Sequence, residues 1–280
     1  MFIIELAGGL LSNSLALISD AGHMFTHIVA LAISFIALKF AEKESSNKMT
    51  FGFHRVEILA ALVNGATLFL LTIWIAYEAY QRFTAPSPIN SLQMFWIAIM
   101  GLIVNISTAM ILKGASKRSI NIRSAFLHML GDTLSSVGVI MAALIISIKG
   151  WLFVDPLISI MICIPIWIWS YNLILESVDV LLEATPRGID IIKVKEALMD
   201  IESVGDVHEI HIWTLTSGTF AMSAHVGVAD IHISETTSLL EEINKLLNKK
   251  FQIGHNTIQF ECIDRCIVNY KCSLNNRSDV

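Results

Sequence analysis

Two pairs of ionisable side chains, each embedded in a long apolar run, constrain this chain more than any other feature. His128 and Asp132 stand four residues apart within residues 124–136, and far upstream His23 and His27 repeat that spacing, three residues after Asp20. On an α-helix, positions i and i+4 share one face, one turn apart. An ionisable group in the middle of a membrane span costs about 2.5–3.5 kcal/mol on insertion scales, so such groups mark a pathway or a site. Two helices carrying these pairs can gather His23, His27, His128 and Asp132 around one divalent cation.

The apolar runs have membrane dimensions. The chain of 280 residues is 54% hydrophobic and 15% charged, against about a quarter charged in soluble domains. A spanning helix needs about 20 mostly apolar residues. Five runs meet that length, at residues 14–39, 56–80, 92–112, 122–148 and 151–175, and residues 1–12 make a sixth, partial one. The expected architecture is a membrane α-helical bundle whose first span is shortened. Lys39, Lys43, Lys48 and Arg55, with Lys113, Lys117, Arg118 and Arg123, crowd two alternate connections, whereas the other two hold only Arg82 and Lys149. Positive residues collect on the cytoplasmic side, which assigns the C-terminal part to the cytoplasm. On that map His23 and His27 lie about 9 to 13 residues below the outer end of their span. His128 and Asp132 lie about 6 to 10 residues from the inner end of theirs, so both pairs fall near the bilayer midplane.

After Thr185-Pro186-Arg187-Gly188 the periodicity changes. Residues 189–202 read as an amphipathic helix, 204–215 and 219–229 as strands flanking a Ser217-Gly218 hairpin turn, 234–250 as a helix and 256–262 as a short strand. The order α-β-β-α-β predicts a small α+β sandwich. The domain boundaries follow: 1–183 in the membrane, 184–265 in the cytoplasm, and a tail at 266–280. Cys163, Cys262, Cys266 and Cys272 form no disulfide framework, and the spacing of the last three is looser than a C-x₂-C zinc motif. Met1 begins directly in apolar sequence without the basic start of a cleavable signal. No basic cluster interleaved with aromatics is present, which argues against a nucleic-acid partner.

Several stretches, in order and over nearly the whole chain, make it resemble the cation diffusion facilitators, particularly their zinc-transporting branch. They are residues 5–24 (ELAGGLLSNSLALISDAGHM), 50–65 (TFGFHRVEILAALVNG), 128–132 (HMLGD) and 207–218 (VHEIHIWTLTSG). The resemblance implies six spans, a cytoplasmic ferredoxin-like domain, homodimerisation, and exchange of metal for protons out of the cytoplasm. The family's first span is longer, and this chain begins about halfway along it. The zinc branch usually carries His-x-x-x-Asp on the second span, where this chain has His23-x-x-x-His27. The short N-terminus and modest loops suit a bacterial inner membrane.

Zinc takes four tetrahedral ligands from imidazole, thiolate and carboxylate, so three histidines and one aspartate are chemically acceptable. The plainer alternative is that these side chains hydrogen-bond helices together. With neutral imidazoles the set carries one formal negative charge rather than two, and its nitrogen-rich donors disfavour hard cations such as Mg²⁺ or Ca²⁺. Imidazole titrates at about pH 6.5 when unperturbed and binds metal only when neutral, so protons and metal compete for it. Asp20 shares the helical face of the histidines and is a candidate gate or substitute carboxylate. The resemblance aligns Arg55 and Glu183 with a charge pair at the junction of the two domains. It also implies a regulatory zinc site at His208, His225 and the last strand, where Gln259 replaces a family histidine and Glu261 takes a carboxylate position. A plain two-residue turn sets His225 opposite Ile210, with His208 two positions along on the same face and His211 on the other face with Trp213.

Two other function classes compete. An intramembrane metalloprotease needs H-E-x-x-H, and Met24 stands where its glutamate must be. A membrane metal sensor that does not transport shares the same ligands. The expected activity is export of divalent transition metal, zinc first, with cadmium, cobalt, iron and manganese as the alternatives that imidazole also accommodates.

Overall fold

A chain whose apolar runs reach membrane length satisfies its backbone polar groups internally by forming helices. The computed structural model describes residues 1–41, 46–115, 120–216 and 218–263, and at some helical positions, His128 among them, it describes the backbone alone. Six helices come first: α1 (Phe2–Ser12), α2 (Leu15–Ala41), α3 (Arg55–Thr84), α4 (Ser91–Ala115), α5 (Ile120–Lys149) and α6 (Val154–Leu181). Among the described residues, α2 to α6 each contain a stretch long and apolar enough to cross a membrane, and α1 is the shorter apolar helix. The chain divides into two compact units, one of residues 1–38 and 60–175 and the other of 39–59 and 176–280.

In the first unit the helices meet through small and medium side chains. Ala16 and Leu17 of α2, Met94 and Ala98 of α4, Val139, Ala142 and Ala143 of α5 and Val154 of α6 form one buried cluster. Alanines at these positions let backbones approach closely, which is how helices associate where lipid offers no hydrophobic contrast. The turn from α1 to α2 is tight. Asn13 adopts the left-handed conformation at φ 56° and caps α1, and a Cβ on Gly9 would lie 2.9 Å from Ile18 Cγ1 and 3.0 Å from the Ile18 backbone nitrogen. Because one obstacle is backbone, Gly9→Val is expected to push α1 off α2 at a cost of about 1–3 kcal/mol, read as a lower unfolding temperature of the detergent-solubilised chain.

The second unit holds α7 (Ile191–Met199), β1 (Asp206–Thr216), β2 (Thr219–Val228), α8 (Ile233–Phe251) and β3 (Ile253–Cys262). Asp190 caps α7 by accepting from the Ile192 amide. The strands run in the order β1-β2-β3, with β2 antiparallel to β1 and parallel to β3. Val194 and Leu198 of α7, Ile243 and Leu247 of α8 and Val207, Ile212, Met222 and Ile253 of the sheet share one core. The α-β-β-α-β order and the α+β class agree with the sequence reading. β3 begins at Ile253 rather than at 256, because Ile253, His255 and Asn256 pair with Phe220, Ala221 and Met222 of β2, the ladder stepping past Gly254. Ser217 and the tail from residue 264, with Cys266 and Cys272, lie outside the described residues.

The register of β1 departs from the expectation of a plain two-residue turn. Thr216 faces Thr219 as expected, but irregularities between Thr214 and Thr216 and between His208 and His211 each add one residue to β1. His208 therefore sits directly opposite His225, not Ile210. Glu209, at φ 48°, marks the second bulge with a left-handed backbone. A bulge opposes two residues to one and shifts the alternation of faces beyond it. As a result His211 and Trp213, paired with Ser223 and Ala221, share the face of His208 and His225 rather than the opposite one.

Candidate metal centres

The α2 residues Asp20, His23 and His27 recur at i, i+3 and i+7, and so turn toward the same neighbour. His23 Nε2 lies 3.6 Å from Asp132 Oδ1 of α5. His23 Nε2 and His27 Nε2 approach to 3.1 Å with rings edge-on, one of the two nitrogens donating to the other. Two tetrahedral zinc ligands at about 2.0–2.1 Å lie about 3.3 Å apart, a spacing that these separations bracket. Asp132 and Asp20 are 6% and 3% exposed, so both carboxyl groups are withdrawn from the helix surface. Asp20 Oδ1 accepts from Ser135 Oγ of α5 at 2.6 Å, a second polar link between the two helices one layer nearer the start of α2. His128 lies on α5 one turn before Asp132, and its side chain falls outside the described residues.

Two polar features near this layer escaped the sequence reading. Glu5 of α1 is 1% exposed, and its Oε1 approaches Gly101 of α4 so closely that a Cβ there would collide with it. The rule that singled out His23 and Asp132, an ionisable residue in an apolar run, applied equally to Glu5 and identifies it without further information. Asn105 of α4 donates to Ser136 Oγ of α5, which itself donates to the Asp132 carbonyl. That link ties α4 to the turn of α5 that carries Asp132.

The second centre lies on the open face of the sheet. Among the described residues, His208, His225 and Glu261 offer one ligand atom each, all within 4.8 Å of one another. His225 Nδ1 is 2.8 Å from Glu261 Oε1 and His208 Nε2 is 3.4 Å from Glu261 Oε2. Asp206 Oδ2 lies 3.0 Å from His208 Nδ1. A carboxylate there favours the tautomer protonated on Nδ1 and leaves the Nε2 lone pair turned toward Glu261, the outer arrangement usual for a metal-ligating histidine. Gln259, opposite His225 in the parallel ladder, donates to Glu261 Oε1 at 2.8 Å and so orients the carboxylate. Two imidazoles and a carboxylate at these distances fit a borderline-soft divalent ion.

The remaining pair, Arg55 and Glu183, meets within the second unit. Arg55 opens α3 and its Nη2 lies 2.7 Å from Glu183 Oε1. Both side chains are substantially exposed, so the pair contributes no more than about 1 kcal/mol. Nearby, Thr216 Oγ1 at the end of β1 donates to Glu57 of the first turn of α3 at 2.9 Å, and the Phe51 ring meets the His255 ring of β3 at 5.5 Å.

Two family models match the chain: the cation efflux transmembrane domain over residues 1–182 and the cation efflux protein cytoplasmic domain over residues 186–262. The chain belongs to the cation efflux family, the cation diffusion facilitators; it is an integral membrane transporter and not an enzyme. It is 43% identical, over 92% of its length and 84% of the relative's, to a cadmium, cobalt and zinc/H(+)-K(+) antiporter of Bacillus subtilis. The metal cation efflux system protein CzcD of Cupriavidus metallidurans is 41% identical over 92% of this chain and 82% of its own. The zinc transporter ZitB of Escherichia coli is 40% identical, with the same two coverages. Among solved structures, the metal-bound C-terminal domain of the CzcD transporter aligns at 36% identity with 26% of this chain and 99% of its own, with a TM-score of 0.24.

Proposed function

We propose that this chain exports divalent transition metal, zinc first, from the cytoplasm in exchange for protons, as a homodimer in a bacterial inner membrane. The observation that carries the reading is the meeting of His23 and His27 on α2 with Asp132 on α5, inside two apolar helices. In this reading His23, His27, His128 and Asp132 bind the transported ion near the bilayer midplane. Metal requires neutral imidazole and ionised carboxylate. Because one of the facing Nε2 atoms of His23 and His27 carries a proton, both can bind metal only when that proton leaves or moves to Nδ1. Proton entry from the other side reverses the step and expels the ion. Asp20, held by Ser135, is the gate above the site, and its link to α5 breaks as the two helices part. The relatives named for cadmium, cobalt and zinc and for antiport support the metal class and the exchange.

The test is metal flux into proteoliposomes under an imposed pH gradient, comparing Zn²⁺, Cd²⁺, Co²⁺, Fe²⁺ and Mn²⁺. Zinc movement that needs the gradient is the expected result. Zinc binding without flux would replace this reading with that of a membrane sensor. In the same assay His27→Asp restores the two-carboxylate charge of the family's zinc branch, and a shift in the ratio of zinc to cobalt flux of about tenfold is expected if His27 coordinates.

His208, His225 and Glu261 form a regulatory metal site in the C-terminal unit, which we place in the cytoplasm, and Arg55 with Glu183 joins α3 to the segment after α6. Zinc titration of the purified chain is expected to show about one ion fewer per chain in His225→Ala, with the membrane site still filling. An unchanged stoichiometry would remove the site.

A further inference from the structure

Helix α2 carries Asp20, His23 and His27, and its first turn is held by a side chain from α6 that is balanced by one from α3. Asp155, in the first turn of α6, is 0% exposed. Its Oδ2 accepts from the Leu15 amide at 2.7 Å, and its Oδ1 from the Ala16 amide at 3.2 Å and from Ser14 Oγ at 2.5 Å. Ser14 Oγ in turn accepts from the Leu17 amide at 3.3 Å. The amides at the start of a helix have no intrahelical acceptor, and here a carboxylate from 140 residues away supplies two of them. Negative charge at a helix N-terminus is favourable, more so when partly or fully buried.

The carboxylate is balanced from a third helix. Arg82, near the end of α3, places Nη1 3.7 Å from Asp155 Oδ2 and donates from the same nitrogen to the Asn13 carbonyl at 2.6 Å. Its Nη2 donates to Asn13 Oδ1 at 3.1 Å, and its Nε to Glu78 at 3.1 Å. Asn13 Nδ2 donates to the Pro88 carbonyl and the Asn90 amide to the Ser12 carbonyl, so the segment before α4 joins the same knot. A buried carboxylate with four polar partners is costly to assemble and costly to disturb: removing one partner strands the others without water.

We infer that Asp155, balanced by Arg82, is a positioning residue for the α2 metal ligands: it fixes the depth and rotation of α2 from its first turn. A helix is stiff over the eight residues between Ser14 and His23. A shift or roll at the anchored end therefore moves His23 and His27 relative to Asp132, and small misplacements of interacting groups have large effects. The anchor itself is geometry within the first unit; its consequence for metal rests on the transport-site reading above.

The experiment uses the full chain in proteoliposomes and two variants. Asp155→Asn keeps the shape and one acceptor oxygen but removes the charge; Ser14→Ala removes one link and is the milder change if Asp155→Asn does not fold. For each, zinc KM and maximal flux are measured, with hydrogen exchange of the amides at residues 14–27 alongside. The expected result is faster exchange over the first turns of α2, a zinc KM raised about tenfold in Asp155→Asn, and maximal flux within about twofold of the parent. Ser14→Ala is expected to move both readouts in the same direction by less. Faster exchange with an unchanged KM, or unchanged exchange in both variants, would overturn the inference. If the parent chain moves no zinc, the transport-site reading fails first, and the exchange data still report separately whether Asp155 anchors α2.

Discussion

Asp132→Ala is expected to reduce zinc flux by about 100-fold or more, the largest effect of any single substitution in the membrane unit. Of the four proposed ligands, Asp132 alone carries a formal charge when the imidazoles are neutral. A divalent ion held by neutral nitrogens in a low-dielectric interior keeps its full Born cost, which an adjacent carboxylate offsets. The loss of flux is expected with folding intact, and unchanged hydrogen exchange of the α5 amides in the variant separates loss of the site from loss of the fold. Asp132→Asn separates charge from shape and is expected to fall close to Asp132→Ala. Flux is read with a zinc-sensitive dye sealed in proteoliposomes. An Asp132→Ala chain that transports within about threefold of the parent would remove Asp132 from the site.

Leu247→Asp is expected to prevent the C-terminal unit from folding. Leu247 is fully buried among Ile243, Val194, Leu198 and the sheet, and a carboxylate placed there has no partner. An unpaired buried charge costs several kcal/mol, and a single core of this size supplies only about 3–5 kcal/mol of net stability. The milder Leu247→Ala is expected to cost about 2–5 kcal/mol by leaving a cavity, so it weakens the unit without abolishing it. Hydrogen exchange of α8 and β3 in the full chain distinguishes the outcomes. Leu247→Asp should expose those amides while α4 and α5 remain protected. Full protection of α8 in that variant would mean that the core lies elsewhere.

The features legible in the sequence were those written in local periodicity and in residue chemistry. Apolar runs marked the spans because a membrane helix must be apolar over its whole length, and i, i+4 spacing put His23 and His27 on one face. The α-β-β-α-β order was likewise visible from alternating patterns and a Ser-Gly turn. Contacts between distant segments that neither metal-ligand chemistry nor the family resemblance marked were not legible. Arg82, counted from sequence as a loop charge on the outer side, is 8% exposed and belongs to the polar knot at the start of α2. Asp155 lies in the first turn of α6, yet the backbone amides that donate to it are those of Leu15 and Ala16 in α2. The β1 register was missed for a different reason. A bulge changes the count of residues without changing their type, so neither composition nor alternation announces it, and Glu209 is not a glycine that would have hinted at a left-handed backbone.

Those bulges give the two outer strands of the sheet different mechanical characters. Between His208 and Thr216, β1 carries two surplus residues, and a strand with such slack can bend or lengthen without dragging its far end. From His255 to Glu261, β3 keeps an unbroken ladder with β2. Both strands end against the same short segment, β1 through Thr216 on Glu57 and β3 through His255 on Phe51. A displacement of His208 is therefore expected to be absorbed along β1, and one of Glu261 to carry along β3. Of the three side chains that converge on the open face, Glu261 thus has the stiffest line to the residues that lead into α3.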